Sequence, residues 1–375
     1  MRLRTKNGLL SLGVGSILEN TKKKALLTYP TVKEALFYEK LADKKVRCLL
    51  CERKCEIAES KIGFCRTRKN FDGKLYTLVY GDISAIESRP IEIKPFFHYW
   101  PGSTALTFST WSCNFDCIWC QNFHLSKVAP EPAKAFYYPP EKIVDLALAY
   151  GDAGLCASFQ EPTLLTEWAI QVFNLGKSRG IKYCCYVSNG YMTLEVLKAL
   201  WEAGMDGLKI DVKGNREVYM KYCGGADVER VWRNAEEAKR LGLHVEIVNL
   251  VVSGVNDDEN TLSWVIENHL KHVGPETPLH FTRYFPAYKF HKPPTKIETL
   301  EKAYEMARKA GVLYPYIGNV SGHRYEHTYC PTCGEKLIKR YGYYVLKYAV
   351  TEDKKCPKCG TRIPITGQYL GKWNA

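Results

Sequence analysis

The 375-residue sequence lacks any apolar run of about 18 or more residues, which is the length that a membrane-spanning helix requires. It also lacks repeats and low-complexity tracts, and its 13% aromatic content is too high for a disordered chain. Residues 8–18 follow Arg2, Arg4 and Lys6 in the outline of a signal peptide, but serine and glycine interrupt the stretch and no small-x-small cleavage site is present. We therefore predict a globular, cytoplasmic protein of two or three domains with no membrane partner.

Cysteine is abundant, and most of its 15 copies form three clusters along the chain. The odd count and the tight C-x2-C and C-x3-C spacings favour metal ligation over a disulfide framework, in a reducing compartment. The clusters are Cys48, Cys51, Cys55 and Cys65 early in the chain, Cys113, Cys117 and Cys120 in the middle, and Cys330, Cys333, Cys356 and Cys359 near the end. The scattered cysteines are predicted to be buried as small hydrophobic residues: Cys156, Cys184, Cys185 and Cys223.

Short β-rich runs alternate with amphipathic stretches of helical length through the middle of the chain, which predicts repeated βα units. The predicted strands are 105–110, 155–159, 183–188, 207–212, 244–252 and 279–282, with 313–318 as a seventh candidate. We predict an α/β fold built on a partial (βα)6 TIM-type barrel, whose chemistry lies on the loops after the carboxyl ends of the strands. The predicted domains are an N-terminal cysteine-rich region at 1–102, the barrel at 103–322 and a C-terminal four-cysteine ribbon at 323–375.

The middle cysteines have the spacing C-x3-C-x2-C directly after the first predicted barrel strand. Three thiolates on one loop can hold three irons of a [4Fe-4S] cluster and leave the fourth iron open, whereas the alternative is a structural zinc loop with a distant fourth ligand. This segment resembles the radical S-adenosylmethionine (radical SAM) superfamily, whose signature is this spacing with an aromatic residue, here Trp119, before the last cysteine. The resemblance implies that SAM binds the open iron and that one-electron cleavage produces a 5'-deoxyadenosyl radical for hydrogen abstraction. It also implies a one-electron donor such as ferredoxin or flavodoxin.

Polar residues follow the second and third predicted strands, where the resemblance implies contacts with SAM. Gln160 and Glu161 stand where the family usually has a glycine-containing loop near the SAM amino group, although the glycines are absent here. Glu161 would otherwise be a turn residue or helix cap. Ser188 and Asn189 are candidates to bind the ribose or the methionyl carboxylate, and their alternative is a plain Asn-Gly turn.

Further candidates lie on the later strands. Asp211 and Lys213 resemble the strand-end residues of glycyl-radical activating enzymes, where they face SAM or a peptide, and they alternate onto one face of the fourth strand. A satisfied buried ion pair is the alternative interpretation. Asn249 on the fifth strand and Arg283 on the sixth are candidate cofactor contacts, and His280 is a candidate catalytic residue although a lone strand histidine is more often structural.

A longer resemblance begins near Ala35 and covers most of the chain. Its segments include RCLLCERKCEIAESKIGFCRTR, IEIKPFFHYWPGS and IGNVSGHRYEHTYCPTCG, which are similar to the AmmeMemoRadiSam group, relatives of the pyruvate formate-lyase activating enzyme. This likeness suggests a glycyl-radical partner, and the incomplete barrel of the family leaves a lateral opening that suits a peptide or protein substrate. The physiological substrate is not supplied by the resemblance.

The two outer cysteine sets predict further metal sites. The C-terminal set forms two C-P-x-C-G knuckles, which suit a structural four-thiolate site for zinc, or for a single iron in a rubredoxin-like ribbon. The N-terminal set is less regular and carries basic residues among its cysteines. It suits either zinc or an auxiliary iron-sulfur cluster that relays electrons or anchors a substrate.

The net charge of +13, from 53 Lys and Arg against 40 Asp and Glu, raises a competing class of function. A basic metalloprotein with a terminal ribbon could bind or modify RNA or DNA. No RNA-binding motif is present, and dispersed lysines usually form a solvated surface. Thiolate ligation at all three cysteine sets would lower the charge to about +8, so we favour the radical enzyme over a nucleic-acid partner.

Overall fold

The computed structural model describes residues 25–371, so the stretch at residues 8–18 lies outside the described residues. The N-terminal region forms two small antiparallel sheets of three short strands each. One sheet has the order β1, β6, β5 and the other the order β2, β3, β4. The strands are β1 (Lys33–Glu34), β2 (Tyr38–Lys40), β3 (Val46–Cys48), β4 (Glu56–Ile57), β5 (Arg68–Phe71) and β6 (Lys74–Thr77).

Eight strands in chain order form the central sheet, and seven of them run parallel. The first strand pairs antiparallel with the second and forms one edge. The strands are β7 (Ala85–Pro90), β8 (Thr104–Ser109), β9 (Gly154–Ala157), β10 (Tyr183–Ser188), β11 (Gly207–Val212), β12 (His244–Val251), β13 (Leu279–Arg283) and β14 (Pro315–Gly318). Within residues 25–371, β7 and β14 do not pair with each other, so the sheet is an incomplete barrel.

Helices connect the parallel strands and pack side by side on the sheet, as βα units require. They are α1 (Phe123–Ser126), α2 (Pro140–Tyr150), α3 (Thr166–Ser178), α4 (Leu194–Glu202), α5 (Arg216–Tyr222), α6 (Val228–Arg240), α7 (Glu259–His272) and α8 (Ile297–Ala310). The parallel strands are almost continuously buried, because helices cover one face and the barrel interior covers the other. Among the described residues, no helix is both long and apolar enough to cross a membrane.

The sequence predicted the seven parallel strands to within two residues at either end, and the strand at 313–318 is present as β14. It did not predict β7 or the short N-terminal strands. The strand β7 joins the central sheet although it precedes residue 103, and the three-domain division stays a prediction.

The C-terminal region is a small ribbon with its own apolar core. It contains β15 (Thr328–Tyr329), β16 (Lys336–Tyr341) and β17 (Tyr344–Tyr348), which form an antiparallel sheet. Arg340 fixes this ribbon on the barrel because its buried guanidinium donates to the carbonyls of Phe97 (2.8 Å) and Glu326 (3.2 Å) and to Thr328 Oγ1 (2.8 Å). The guanidinium also lies 4.2 Å from the centre of the Phe97 ring.

Candidate active site

The middle cysteine cluster lies on the loop that follows β8. The backbone N–H of Phe115 donates to Cys113 Sγ (3.3 Å), and Cys120 Sγ lies 3.1 Å from Ser126 Oγ, so the loop folds back onto its own sulfurs. Within the described chain, the sulfurs of Cys113, Cys117 and Cys120 are not all within 4.8 Å of one another. Thiolates that share a single zinc ion lie closer together, whereas each cluster thiolate binds a different iron. The spacing therefore argues against a single zinc ion on these three sulfurs.

Neighbouring groups favour the thiolate form of Cys117. A hydrogen bond with the Cys223 thiol and the ammonium groups of Lys213 and Lys127 lower the pKa of Cys117 to about 7, although burial opposes this shift. Burial raises the pKa of Cys113 instead. Because the thiolate is the metal-binding form, Cys117 is prepared for ligation near neutral pH.

A cavity of about 320 Å³, open to solvent, lies at the carboxyl ends of the strands beside these cysteines. Single small-molecule sites usually occupy about 300–1000 Å³, so this cavity has the size of one such site. It brings together most of the sequence-predicted residues, namely Cys113, Cys117, Trp119, Cys120, Gln160, Glu161, Asn189, Asp211 and Lys213.

Gln160 and Trp119 contribute to this cavity in different ways. The Gln160 amide is buried, and neither its Nε2 nor its Oε1 atom has a hydrogen-bond partner among the described residues. A buried amide without partners is costly unless a ligand completes its hydrogen bonds. Trp119 is almost fully buried, and its ring packs against Tyr222 (5.5 Å) and Phe290 (6.1 Å). Gln160 is therefore free to bind a ligand, and Trp119 supports the wall.

Glu161 connects the ends of β9 and β10. Its Oε1 accepts hydrogen bonds from Ser188 Oγ (2.8 Å) and from Thr163 N (3.0 Å), and its Oε2 accepts one from Asn189 N (2.8 Å). Burial nevertheless raises the pKa of this carboxyl, because desolvation outweighs these bonds. Glu161 caps the following 3-10 helix and also lines the cavity, and its contact with SAM stays a prediction.

Three charged residues project into the barrel from β11 and the residue after it. Asp211 pairs with Lys209 and with Lys213, whose Nζ lies 3.1 Å from Asp211 Oδ2. Burial alone would raise the pKa of Asp211, but the two ammonium groups outweigh it and lower the pKa to about 2. Lys209 is buried, and desolvation lowers its pKa. The group is an ion-paired cluster that carries one excess positive charge and lines the cavity.

Four predicted residues do not line this cavity. The Ser188 hydroxyl donates a hydrogen bond to Glu161 Oε1 (2.8 Å), and the Asn249 amide donates one to the Val212 carbonyl (2.9 Å). Arg283 donates to the Thr295 carbonyl (2.8 Å). Asn249 alternates with Val248 and Leu250, which do line the cavity, so it lies on the opposite face of β12.

His280 also lies outside the cavity lining, in a buried layer of the barrel. Its Nε2 lies 2.6 Å from Glu246 Oε2, and its ring stacks on Tyr316 at 5.0 Å. Burial lowers the pKa of His280 although the Glu246 carboxylate opposes this shift. The contacts are those of a structural histidine, and the catalytic role stays a prediction.

Several lining residues were missed by the sequence analysis. Lys209 could have been found, because the same alternation that pairs Asp211 with Lys213 also reaches two residues back. Phe97, Phe159 and Tyr343 carry no comparable signal. Tyr343 lies in the turn between β16 and β17. The ribbon reaches the cavity because of how the chain folds, which the local sequence does not indicate.

The C-terminal cysteines form a compact group that can hold a metal ion. The sulfurs of Cys330 and Cys359 are 3.5 Å apart, and those of Cys333 and Cys356 are 3.7 Å apart. Four ligands at about 2.3 Å from a tetrahedral zinc ion lie about 3.8 Å apart, so the observed spacing suits one ion. The backbone turns at each knuckle are equivalent, with Gly334 N donating to Cys330 O (3.0 Å) and Gly360 N to Cys356 O (2.9 Å).

The N-terminal cysteines line a separate and much smaller cavity. Cys48, Cys51 and Cys65 are buried, and Cys55 is half-buried. The region is docked on the barrel, since the Thr193 hydroxyl donates to the Leu49 carbonyl (2.8 Å).

Comparison with known proteins agrees with this geometry. A family model described as the radical SAM superfamily matches residues 109–265, which include the three-cysteine loop and the four strands β9 to β12. The chain is 41% identical over 337 residues to the uncharacterized protein MJ0808 of Methanocaldococcus jannaschii, covering 89% of this chain and 99% of that protein. The chain belongs to the radical SAM superfamily. Membership makes this protein a radical SAM enzyme and implies a [4Fe-4S] cluster and SAM as its cofactors.

Two further similarities concern the barrel of this radical SAM enzyme. A probable GTP 3',8-cyclase of Sulfolobus acidocaldarius is 27% identical over 148 residues, covering 39% of this chain and 46% of that protein. A domain of the pyruvate-formate lyase-activating enzyme from Bacteroides vulgatus is similar in structure, with a TM-score of 0.38 and 18% identity, covering 44% of this chain and 99% of that one.

Proposed function

We propose that Cys113, Cys117 and Cys120 bind the [4Fe-4S] cluster and that SAM occupies the adjoining cavity. The chemistry that the bound cluster supplies is one-electron cleavage of SAM to methionine and a 5'-deoxyadenosyl radical, which takes a hydrogen atom from the substrate. A one-electron donor such as ferredoxin or flavodoxin provides the electron. The observation that carries the proposal is that the three thiols and the unpartnered Gln160 amide line one cavity.

The polar residues of the cavity have separate roles in this proposal. Gln160 completes its hydrogen bonds on the polar methionyl or ribose groups of SAM. Glu161 holds the ends of β9 and β10 together and keeps the Asn189 backbone in position. Lys209 and Lys213 keep Asp211 ionised, so that this carboxylate can accept hydrogen bonds from a ligand without taking up a proton.

We infer that the substrate is a peptide or protein segment. The cavity is open to solvent, and its exposed lining residues include Tyr343 of the ribbon and Asn319 and Ser321, which follow β14. A chain segment can enter such an opening with one residue inside the cavity and the rest outside. The ribbon metal is proposed to be zinc, because the sulfur spacing fits a tetrahedral ion.

The test is SAM cleavage by the full chain after anaerobic reconstitution with iron and sulfide and reduction with dithionite. We expect 5'-deoxyadenosine and methionine to form, and SAM to change the EPR signal of the reduced cluster. Cys117→Ala should abolish both results. Cys184→Ala removes a buried thiol of β10 that belongs to none of the three cysteine sets, and it should retain them. Equal 5'-deoxyadenosine from the two variants would refute the ligand assignment.

A second experiment addresses Gln160. Gln160→Leu keeps the volume but removes both polar atoms, so SAM should bind about tenfold more weakly, which corresponds to roughly one lost hydrogen bond of about 1.4 kcal/mol. Isothermal titration of the reconstituted protein with SAM measures this change. Gln171→Leu on α3, whose amide bonds Tyr80 far from the lining, is the matched control. Unchanged SAM affinity in Gln160→Leu would remove this residue from the site.

A further inference from the structure

We propose that Cys48, Cys51, Cys55 and Cys65 hold a second [4Fe-4S] cluster, not zinc. All four line one cavity, which also includes Arg68 and Asn114. Four thiolates and no open position are the ligand set of a complete [4Fe-4S] cluster as well as of zinc, so the residue types alone do not choose between them. The surroundings of the sulfurs favour a bound anionic metal site, and their spacing favours the cluster.

The distances between the sulfurs can be compared among the three cysteine sets of the chain. Throughout residues 25–371, the C-terminal cysteines are the one group of three or more potential ligands whose atoms all lie within 4.8 Å of one another. The N-terminal sulfurs surround a common cavity but do not meet this limit. The cysteines of the barrel loop do not meet it either, and these are the ones that the superfamily uses for iron and sulfide. The N-terminal set thus lacks the compact spacing of the ribbon set, which a single zinc ion requires, and this favours a cluster.

Arg68 supplies a second observation. Its side chain is 1% exposed and lines the cavity, and its guanidinium interacts electrostatically with the thiols of Cys48 and Cys65. Its Nη2 donates to Glu167 Oε2 (2.8 Å) and to the Leu164 carbonyl (3.1 Å). Its Nε and Nη1 have no hydrogen-bond partner among the described residues. Two buried, unpaired donors therefore remain beside the sulfurs, and a metal site on four thiolates, whose net charge is about −2 with either zinc or an oxidised cluster, would satisfy them.

The cavity also adjoins the barrel cysteines through one residue. The Asn114 side chain lies beside Cys51, and its Oδ1 lies 3.8 Å from Cys113 Sγ. The same Oδ1 accepts a hydrogen bond from Asn189 Nδ2 (2.7 Å). A cluster in the N-terminal set would therefore lie next to the one in the barrel, with Asn114 between them.

Metal counting tests the proposal on the full chain. After anaerobic reconstitution in the presence of zinc, we expect about eight irons and about one zinc per chain. The double variant Cys48→Ser/Cys51→Ser should lose about four irons and keep its zinc. Cys113→Ser/Cys117→Ser should lose the other four or so, and Cys184→Ser should lose none. Reduced wild-type protein should show two interacting EPR signals, and each double variant should show one.

A different metal count would show that the N-terminal set binds zinc. About four irons and about two zincs in the wild-type chain, with the second zinc lost in Cys48→Ser/Cys51→Ser, would overturn the proposal. The wild-type count decides the matter even if that variant is insoluble. SAM cleavage by a protein with about four irons and two zincs would refute this inference and leave the proposed function standing. About eight irons without SAM cleavage would support this inference and refute the proposed function.

Discussion

The two four-cysteine regions contain the same ligands but arrange them differently. In the ribbon, sulfur pairs lie 3.5 and 3.7 Å apart, and Cys359 is exposed. In the N-terminal region the sulfurs are more widely spaced around a cavity, and three of the four cysteines are buried. The ribbon cysteines are part of a core of only eight buried residues, whereas the N-terminal cysteines lie against the large barrel core. The comparison teaches that ligand identity sets which metals can bind, and that spacing and burial choose among them.

A buried arginine attaches each region to the barrel, and here too the regions differ. Arg340 of the ribbon bonds neutral oxygens only, at Phe97, Glu326 and Thr328. Arg68 of the N-terminal region pairs with the Glu167 carboxylate and keeps two donors beside the cysteines. One arginine is therefore a structural anchor, and the other anchors the region while it also faces a proposed metal site.

The largest expected effect is metal removal from the ribbon. Because structural zinc contributes about 10–16 kcal/mol to such small domains, chelation should unfold the ribbon and leave the barrel folded. Limited proteolysis with mass spectrometry should then detect new cleavage between residues 330 and 360. Cys330→Ser should show the same cleavage without a chelator. A ribbon that resists protease after complete loss of its metal would show that the eight-residue core suffices.

The second effect is the loss of Arg68. Arg68→Met should destabilise the protein by about 3–5 kcal/mol, because it leaves Glu167 buried without its partner. Thermal unfolding of the protein measures this loss. Arg66→Met is the matched control, since Arg66 is exposed and bonds only Ser112 Oγ (3.2 Å), so it should cost about 1 kcal/mol or less. Equal losses in the two variants would contradict the importance of the buried pair.

A smaller effect is expected at the other anchor. Arg340→Met leaves three neutral acceptors without their donor, which should cost about 2 kcal/mol. The loss should appear as faster hydrogen exchange in β15 and β16 rather than in the barrel strands. Lys339→Met changes the exposed neighbour and should leave exchange unchanged. If both variants exchange alike, Arg340 does not hold the ribbon in place.

The smallest effect concerns the helix cap that touches the N-terminal region. Thr193 caps α4 by accepting from Val196 N (3.3 Å), and its hydroxyl also donates to the Leu49 carbonyl. Thr193→Ala should cost about 1 kcal/mol and increase protease cleavage near residue 49. Asn215→Ala removes the equivalent cap of α5, where the Asn215 amide bonds Thr261 instead of the N-terminal region, and should cost a similar amount without the new cleavage. Cleavage in both variants would argue against a local connection.

The barrel strands were predictable because each is a continuous buried run bounded by polar turns. The antiparallel strand β7 was not, since Ala85–Pro90 is half-exposed and ends in proline, which is typical of an edge strand or a loop. In the site, the alternation along β11 identified Asp211 and Lys213. Asn249 on β12 was also predicted to contact the cofactor. The residues of β12 that line the cavity are its neighbours Val248 and Leu250, because successive residues of a strand point to opposite faces of the sheet.

The sequence by itself determined the superfamily, the order of the strands and the residues that can bind metal, because spacing within one loop or strand is a local property. Only the tertiary structure decided how far apart the four sulfurs of each outer set lie, because those distances depend on segments separated by many residues. It also decided that Arg68 faces the N-terminal cysteines with unpaired donors and that Tyr343 reaches the cavity. Metal choice and substrate access both depend on such long-range packing, which no single segment encodes.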